Sequence, residues 1–301
     1  MALPIVHHPA YHADGLDPNH RFPMAKFRLL AEALVAEGVV DRDGLAEPGL
    51  APPSWLRLAH DPVYVDGVLN HSLDRAAVRR IGFPLIPSVS RRARAAVGGT
   101  CLAARLALEH GRAGNTAGGS HHADYARGAG FCVFNDVAVA AQVLLAEGAV
   151  SRILIIDLDV HQGDGTARIF ADDPRVLTCS LHCQDNWPTR KAQSDVDVGL
   201  PAGTGDAAYL SALAALLDKA FAALHPDLVF YNAGVDVHHA DRLGKLALTD
   251  AGLKARDHTV VEACARYRVP IVGVLGGGYG HSPEEVARRH VSLFQALATG
   301  V

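Results

Sequence analysis

From about residue 150 to the end, the chain repeats one unit: a short apolar run rich in β-branched residues, a polar loop, then a stretch with apolar residues every three or four positions. Residues 152–157 (RILIID) open the series and lead through a Gly-containing loop into a short helix. Residues 176–182 read as the next strand and 206–224 (DAAYLSALAALLDKAFAAL) as an amphipathic helix. A strand over 227–233, a helix over 249–267, a strand over 270–275 and a helix over 283–298 complete the series. Ser282 and Glu285 make a capping box around Pro283 at the first helical position. Strands without polar alternation are those buried on both faces, and crossovers of this length join parallel neighbours. The pattern predicts an α/β fold, a doubly wound parallel β-sheet flanked by helices on both faces.

In the first half, residues 24–37, 90–110 and 135–147 read as helices and 115–118 as a short strand, with Gly98-Gly99 out of place inside the second helix. No repeat or low-complexity tract divides the 301 residues, so a single domain over 1–301 is expected. With 49% apolar and 20% charged residues the composition is that of an ordinary globular protein. A net charge of −4 with scattered arginines leaves no nucleic-acid footprint, and no apolar run suits a membrane span or a signal peptide, which makes a cytoplasmic location the expectation. Five cysteines make no disulfide framework. Cys179-Ser-Leu-His182-Cys183 could offer metal ligands, but no second cysteine pair exists to close a structural zinc site, so reduced thiols are expected.

Ligands of open parallel sheets gather beyond the carboxyl ends of the strands. Four candidate strands deliver polar residues there: His121-His122, the run 157–164, Asp236, and Gly276-Gly277-Gly278-Tyr279. The run Asp157-Leu-Asp159-Val-His161-Gln-Gly-Asp164 brings three carboxylates and one imidazole to the end of a very apolar strand. Alternation points Asp157, Asp159 and His161 the same way, so Asp159 and His161 can be adjacent ligands with Asp157 deeper. Asp236 is the best-placed third ligand from another strand. Three protein ligands and one open position describe a catalytic zinc. Magnesium or manganese stays open, although the histidine favours a transition metal. The competing explanation is that these aspartates cap helices or pair with arginines. Paired histidines alone carry little, because His7-His8 and His238-His239 also occur.

These residues resemble the histone deacetylase family, whose arginase-like α/β fold carries GGSHHA, GAGFCVFNDVAVA, IIDLDVHQGDGT, YNAGVD and LGGGY in this order across nearly the whole chain. HRFPM near the start, Gln162 and YNAGVDVHHADRLGKLALT look most like the class IV branch and its bacterial relatives. The resemblance implies zinc bound by Asp159, His161 and Asp236, His121 and His122 as general base and acid, and Tyr279 as a hydrogen-bond donor to the oxyanion. It implies that Asp157 and Asp164 hold the two histidines, and that potassium is bound by Asp157, Ser180 and Leu181 with the carbonyls of Asp159 and His161. Phe131, Trp187 and Leu243 match the walls of an acyl-lysine tunnel, Gly130 and Gly277 belong to the same substrate-binding set, and Arg21 matches a residue of an internal channel for the released acid. Gln162 and Arg242 depart from many relatives, the second beside the tunnel.

The implied activity is removal of acetyl or longer acyl groups from lysine side chains of a peptide. A hydrolase of acetylated polyamines or other small acylated amines would use the same chemistry. A non-catalytic acyl-lysine binder should have lost Tyr279 or a ligand, and neither is lost. A two-metal ureohydrolase would need further bridging aspartates. Physiological substrate, acyl length and oligomeric state are not written in the sequence.

Overall fold

The computed structural model describes residues 2–17 and 20–299. Eight strands form one sheet: β1 (Ile5–Val6), β2 (Leu45–Ala46), β3 (Arg112–Asn115), β4 (Ile153–Asp157), β5 (Val176–Cys183), β6 (Val196–Leu200), β7 (Leu228–Asn232) and β8 (Ile271–Val274). Their order is β2-β1-β3-β8-β7-β4-β5-β6, and every pairing is parallel. The helices are α1 (Lys26–Ala36), α2 (Pro53–Leu56), α3 (Pro62–Leu69), α4 (Arg75–Ile81), α5 (Pro87–His110), α6 (Asp136–Ala146), α7 (Asp164–Ile169), α8 (Asp206–Ala223), α9 (Asp250–Tyr267) and α10 (Pro283–Thr299).

Both faces of the sheet are covered, as continuous apolar strands require. Helices α5 and α10 each pack on β3 and β8 yet make little contact with one another, so they lie on opposite faces. Neighbouring glycines in register, Gly114 and Gly273, let α10 close on the sheet: a Cβ at Gly114 would fall 2.6 Å from Phe294, and one at Gly273 would fall 2.9 Å from Leu293 and Leu297. Phe294 is thereby fully buried, a gain of about 2 kcal/mol over leaving it in water. Ser282 Oγ accepts from Glu285 N at 3.3 Å, which is the serine half of the expected capping box at the start of α10. Gly98 and Gly99 in α5 have a packing reason. A Cβ at the first would lie 2.0 Å from the carbonyl of Gly49, and one at the second 1.9 Å from the Tyr11 hydroxyl.

The strand expected over 115–118 is corrected. The strand is Arg112–Asn115, and the chain has left the sheet by Gly118 and Gly119, whose φ angles of +92° and +77° no strand adopts. No helix among the described residues is long and apolar enough to cross a membrane. All five cysteines are unpaired and buried, and Cys179, His182 and Cys183 form no metal-capable group. From β4 the chain runs outward through β5 and β6, then returns to lay β7 on the other side of β4. That reversal opens a crevice between the β4 and β7 ends, the usual ligand position in such sheets.

Candidate active site

Asp157 and Asn232 end the two strands that flank the crevice and stand in register, with Asn232 Nδ2 donating to Asp157 Oδ1 at 2.9 Å. Beyond them, Asp159 and His161 follow β4 and Asp236 follows β7. Their candidate ligand atoms lie within 4.8 Å of one another, and all three residues are buried. Main-chain amides aim the carboxylates: Asp159 accepts from His161 N at 2.9 Å and from Gly277 N at 2.6 Å, and Asp236 Oδ1 accepts from Val160 N at 2.9 Å. His161 Nδ1 faces both acids, 3.0 Å from Asp159 Oδ1 and 3.2 Å from Asp236 Oδ2.

Asp236 Oδ2 is buried and, apart from the off-line approach of His161 Nδ1, meets no hydrogen-bond donor. Leaving a carboxylate oxygen in that condition costs upward of about 1–3 kcal/mol, which a bound cation removes. Gly277 keeps the space between the acids clear, since a Cβ there would fall 2.0 Å from Asp236 Oδ2 and 2.7 Å from Asp159 Oδ2. Burial and the neighbouring charge of Asp159 push Asp236 up to about 7. Burial opposes a charge on His161, but Asp159 and Asp236 outweigh it and push the imidazole up to about 10. Both directions mark a cluster that favours added positive charge, and its oxygen and nitrogen donors fit a divalent metal ion.

Two histidines stand over the cluster, their rings 4.0 Å apart. His121 Nδ1 lies 2.6 Å from Asp157 Oδ2, and His122 Nδ1 lies 2.7 Å from Asp164 Oδ1. Each carboxylate fixes Nδ1 as the donor, leaving Nε2 for the site. The two environments differ. Burial opposes charge on His121, yet Asp157 and Asp159 hold it up at about 9, whereas burial and the charge of His121 press His122 down to about 3. Asp164 also takes Arg168; against burial, these two partners hold it down at about 2. Beneath the loop, Asp136 at the start of α6 accepts from Ser120 N at 2.8 Å, Gly119 N at 3.3 Å and Thr100 Oγ1 at 2.6 Å. The histidine pair is thus seated on a buried carboxylate.

The sequence model described as the histone deacetylase domain matches residues 20–297. The chain belongs to the histone deacetylase family. It is 48% identical over 98% of its length to an uncharacterized protein of Picosynechococcus sp., of which it covers 98%. It is 33% identical over 90% of its length to histone deacetylase 2 of Arabidopsis thaliana, covering 73% of that protein. The crystal structure of the HDA15 HD domain has the same fold, with a TM-score of 0.83 and 23% identity over 100% of this chain and 89% of that one.

In this deacetylase family member, Tyr279 is buried near the cluster, its ring 6.5 Å from that of His161. Burial and the charges of Asp159 and Asp236 push its hydroxyl well above the ordinary phenol range, so it remains a donor. Phe131 lies 5.9 Å from the Tyr279 ring, and half-exposed Trp187 meets His122 edge to face at 4.5 Å. Gly130 separates the last two: a Cβ there would fall 2.7 Å from His122 and 2.9 Å from Trp187. Leu243 is part-buried, and its carbonyl accepts from Asn186 Nδ2 at 2.7 Å. Ser180 stands beside Asp157 in the β4–β5 register, with Leu181 next along β5.

Arg21 is set apart from this group. Phe22 takes the inward direction and turns Arg21 out to an exposed pocket that it shares with Arg242 and His281. The arginine that lines the inner cavity with His121, Asp159 and Tyr279 is Arg92, stacked 4.7 Å over Phe27. Sequence reasoning also passed over Asn186, whose amide lies 3.4 Å from His161 Nε2, and Asp241, which accepts from Tyr279 N at 2.6 Å. Both sit in loops without periodicity; Asp241 lies within the motif string 231–249, whereas nothing local marked Asn186.

Proposed function

We propose that this chain is a zinc-dependent lysine deacylase, hydrolysing the amide that joins an acetyl or longer acyl group to a lysine side chain. The observation that carries the reading is the buried Asp159–His161–Asp236 set with its poorly satisfied carboxylate oxygen, lying against two carboxylate-held histidines. These three would hold zinc, which would supply Lewis acidity, polarising an amide carbonyl and lowering the pKa of water to about 7.

On this reading His122, neutral and with Nδ1 engaged by Asp164, receives the proton of the attacking water at Nε2. Oxygen adds to the carbonyl carbon, and the Tyr279 hydroxyl donates to the oxyanion that forms. The C–N bond then breaks as a protonated histidine of the pair gives its proton to the amine, because an amide anion is far too basic to leave. Phe131, Trp187, Leu243, Gly130 and Gly277 bound the path of the methylene stem, which an apolar wall suits. Asp157, Ser180 and the carbonyls of Leu181, Asp159 and His161 would hold potassium, a reading supported by the side-by-side register of Asp157 and Ser180.

The test is a panel of acetyl-lysine peptide, longer acyl-lysine peptides and acetylated polyamine, compared by kcat/KM. The lysine peptides are expected to lead. A polyamine preference of tenfold or more would reassign the substrate to small amines, and no turnover of any member would refute the proposal.

A further inference from the structure

Behind the loop that carries Asp236 lies a charged side chain that the reaction does not touch. Arg256 of α9 is wholly buried, and its guanidinium spans two partners. On one side Nε and Nη2 donate to Asp257 Oδ1 at 3.0 and 2.8 Å, and on the other Nη1 donates to the carbonyl of Gly234. Asp257 is completed by the Tyr231 hydroxyl and by Ser292 Oγ, each at 2.5 Å, which join β7 and α10 to the same carboxylate.

Gly234 is two residues before Asp236 and presses on the other acid of the cluster: a Cβ on it would fall 2.4 Å from Asp159 Oδ2. Val235 N next to it donates to Gly277 O at 2.9 Å. The segment 234–236 is therefore gripped by Gly277 on one side and by Arg256 on the other. A planar guanidinium meets both demands at once, clasping one carboxylate oxygen with two N–H groups and aiming a third at a carbonyl, which the single head of a lysine cannot do.

We infer that Arg256 is a positioning residue that sets Asp236 for metal binding by fixing the Gly234 carbonyl, with Asp257 orienting the guanidinium. The inference rests on the zinc reading above. Outer contacts of this kind change metal affinity by about 10–100-fold when removed.

The experiment measures zinc Kd by chelator competition, and the melting temperature of metal-free protein, for the wild type, Arg256→Lys and Tyr231→Phe. Tyr231→Phe removes one donor from Asp257 and leaves the Arg256–Gly234 contact in place. Both variants should melt lower, but only Arg256→Lys should weaken zinc, by about 10–100-fold. Should Arg256→Lys not fold, Arg256→Gln combined with Asp257→Asn removes both charges together, a change that buried pairs tolerate better, and the same loss of affinity is expected. Wild-type zinc affinity in folded Arg256→Lys or in the folded Arg256→Gln, Asp257→Asn double variant, or an equal loss in Tyr231→Phe, overturns the inference. A wild-type chain that binds no zinc overturns the reading beneath it instead.

Discussion

The amide of Tyr279 donates to Asp241 Oδ2 across 2.6 Å, while Asp241 Oδ1 takes the amides of Leu243 and Gly244 at 2.8 and 2.9 Å. One carboxylate thus fixes both the segment bearing the phenol and the segment bearing Leu243. With its backbone held this way, the Tyr279 ring should keep its place without its hydroxyl. Tyr279→Phe should lower kcat by about 10²–10³-fold, the usual loss for a missing oxyanion donor, with KM and bound metal little changed. Steady-state kinetics with metal analysis check it, and full kcat in the variant would remove Tyr279 from the mechanism.

Asp236 should trade stability against metal. Asp236→Asn keeps the shape and removes one of two buried like charges, which burial and Asp159 already disfavour. Metal-free Asp236→Asn is expected to melt at or above the metal-free wild type, while zinc affinity falls by at least about a hundredfold. Calorimetry and chelator competition read the two effects separately.

Gly130 is expected to tolerate no side chain. At φ +54° it occupies a left-handed conformation, and its Cβ would meet both His122 and Trp187. Gly130→Ala should cut kcat/KM by about tenfold or more through displacement of His122 or Trp187, with metal content unchanged. Unaltered kcat/KM would show that the two rings can part freely.

Acid should destabilise the fold through a buried histidine outside the candidate site. His60 accepts Asn135 N at Nε2 (2.9 Å) and faces the Asp124 carbonyl with Nδ1 (2.8 Å), so the folded state needs it neutral. Burial lowers it from 6.5 to about 4. The unfolded chain takes up that proton first, so the stability His60 contributes is present above about pH 6.5 and is lost as pH falls towards 4. Across the full window this is on the order of 3 kcal/mol. Melting temperature from pH 7 to 4.5 should fall, and less steeply in His60→Gln, whose amide can replace both bonds. Equal slopes would exclude His60 as a contributor.

What the sequence discloses follows the range of the interactions involved. Strands β4, β5, β7 and β8 stand out as continuous apolar runs and the long helices by their three-to-four spacing, and the motif strings carried the Asp159, His161 and Asp236 set. Strands β1 and β2 have two residues each, too few for a period, and β6 (VDVGL) alternates with a charge and a glycine like an exposed loop. Arg256 reads as an ordinary polar helix position, because nothing local reveals that it and Asp257 satisfy each other in the core. The outward turn of Arg21 and the inward reach of Arg92 are likewise set by packing between segments about seventy residues apart.

The most direct test of the account is the metal itself. Protein freed of metal should regain deacylase activity on adding one equivalent of zinc per chain, and lose it again to a chelator. Activity that survives complete metal removal, or a requirement for two equivalents of transition metal, would contradict the assignment of Asp159, His161 and Asp236 as a single catalytic zinc site.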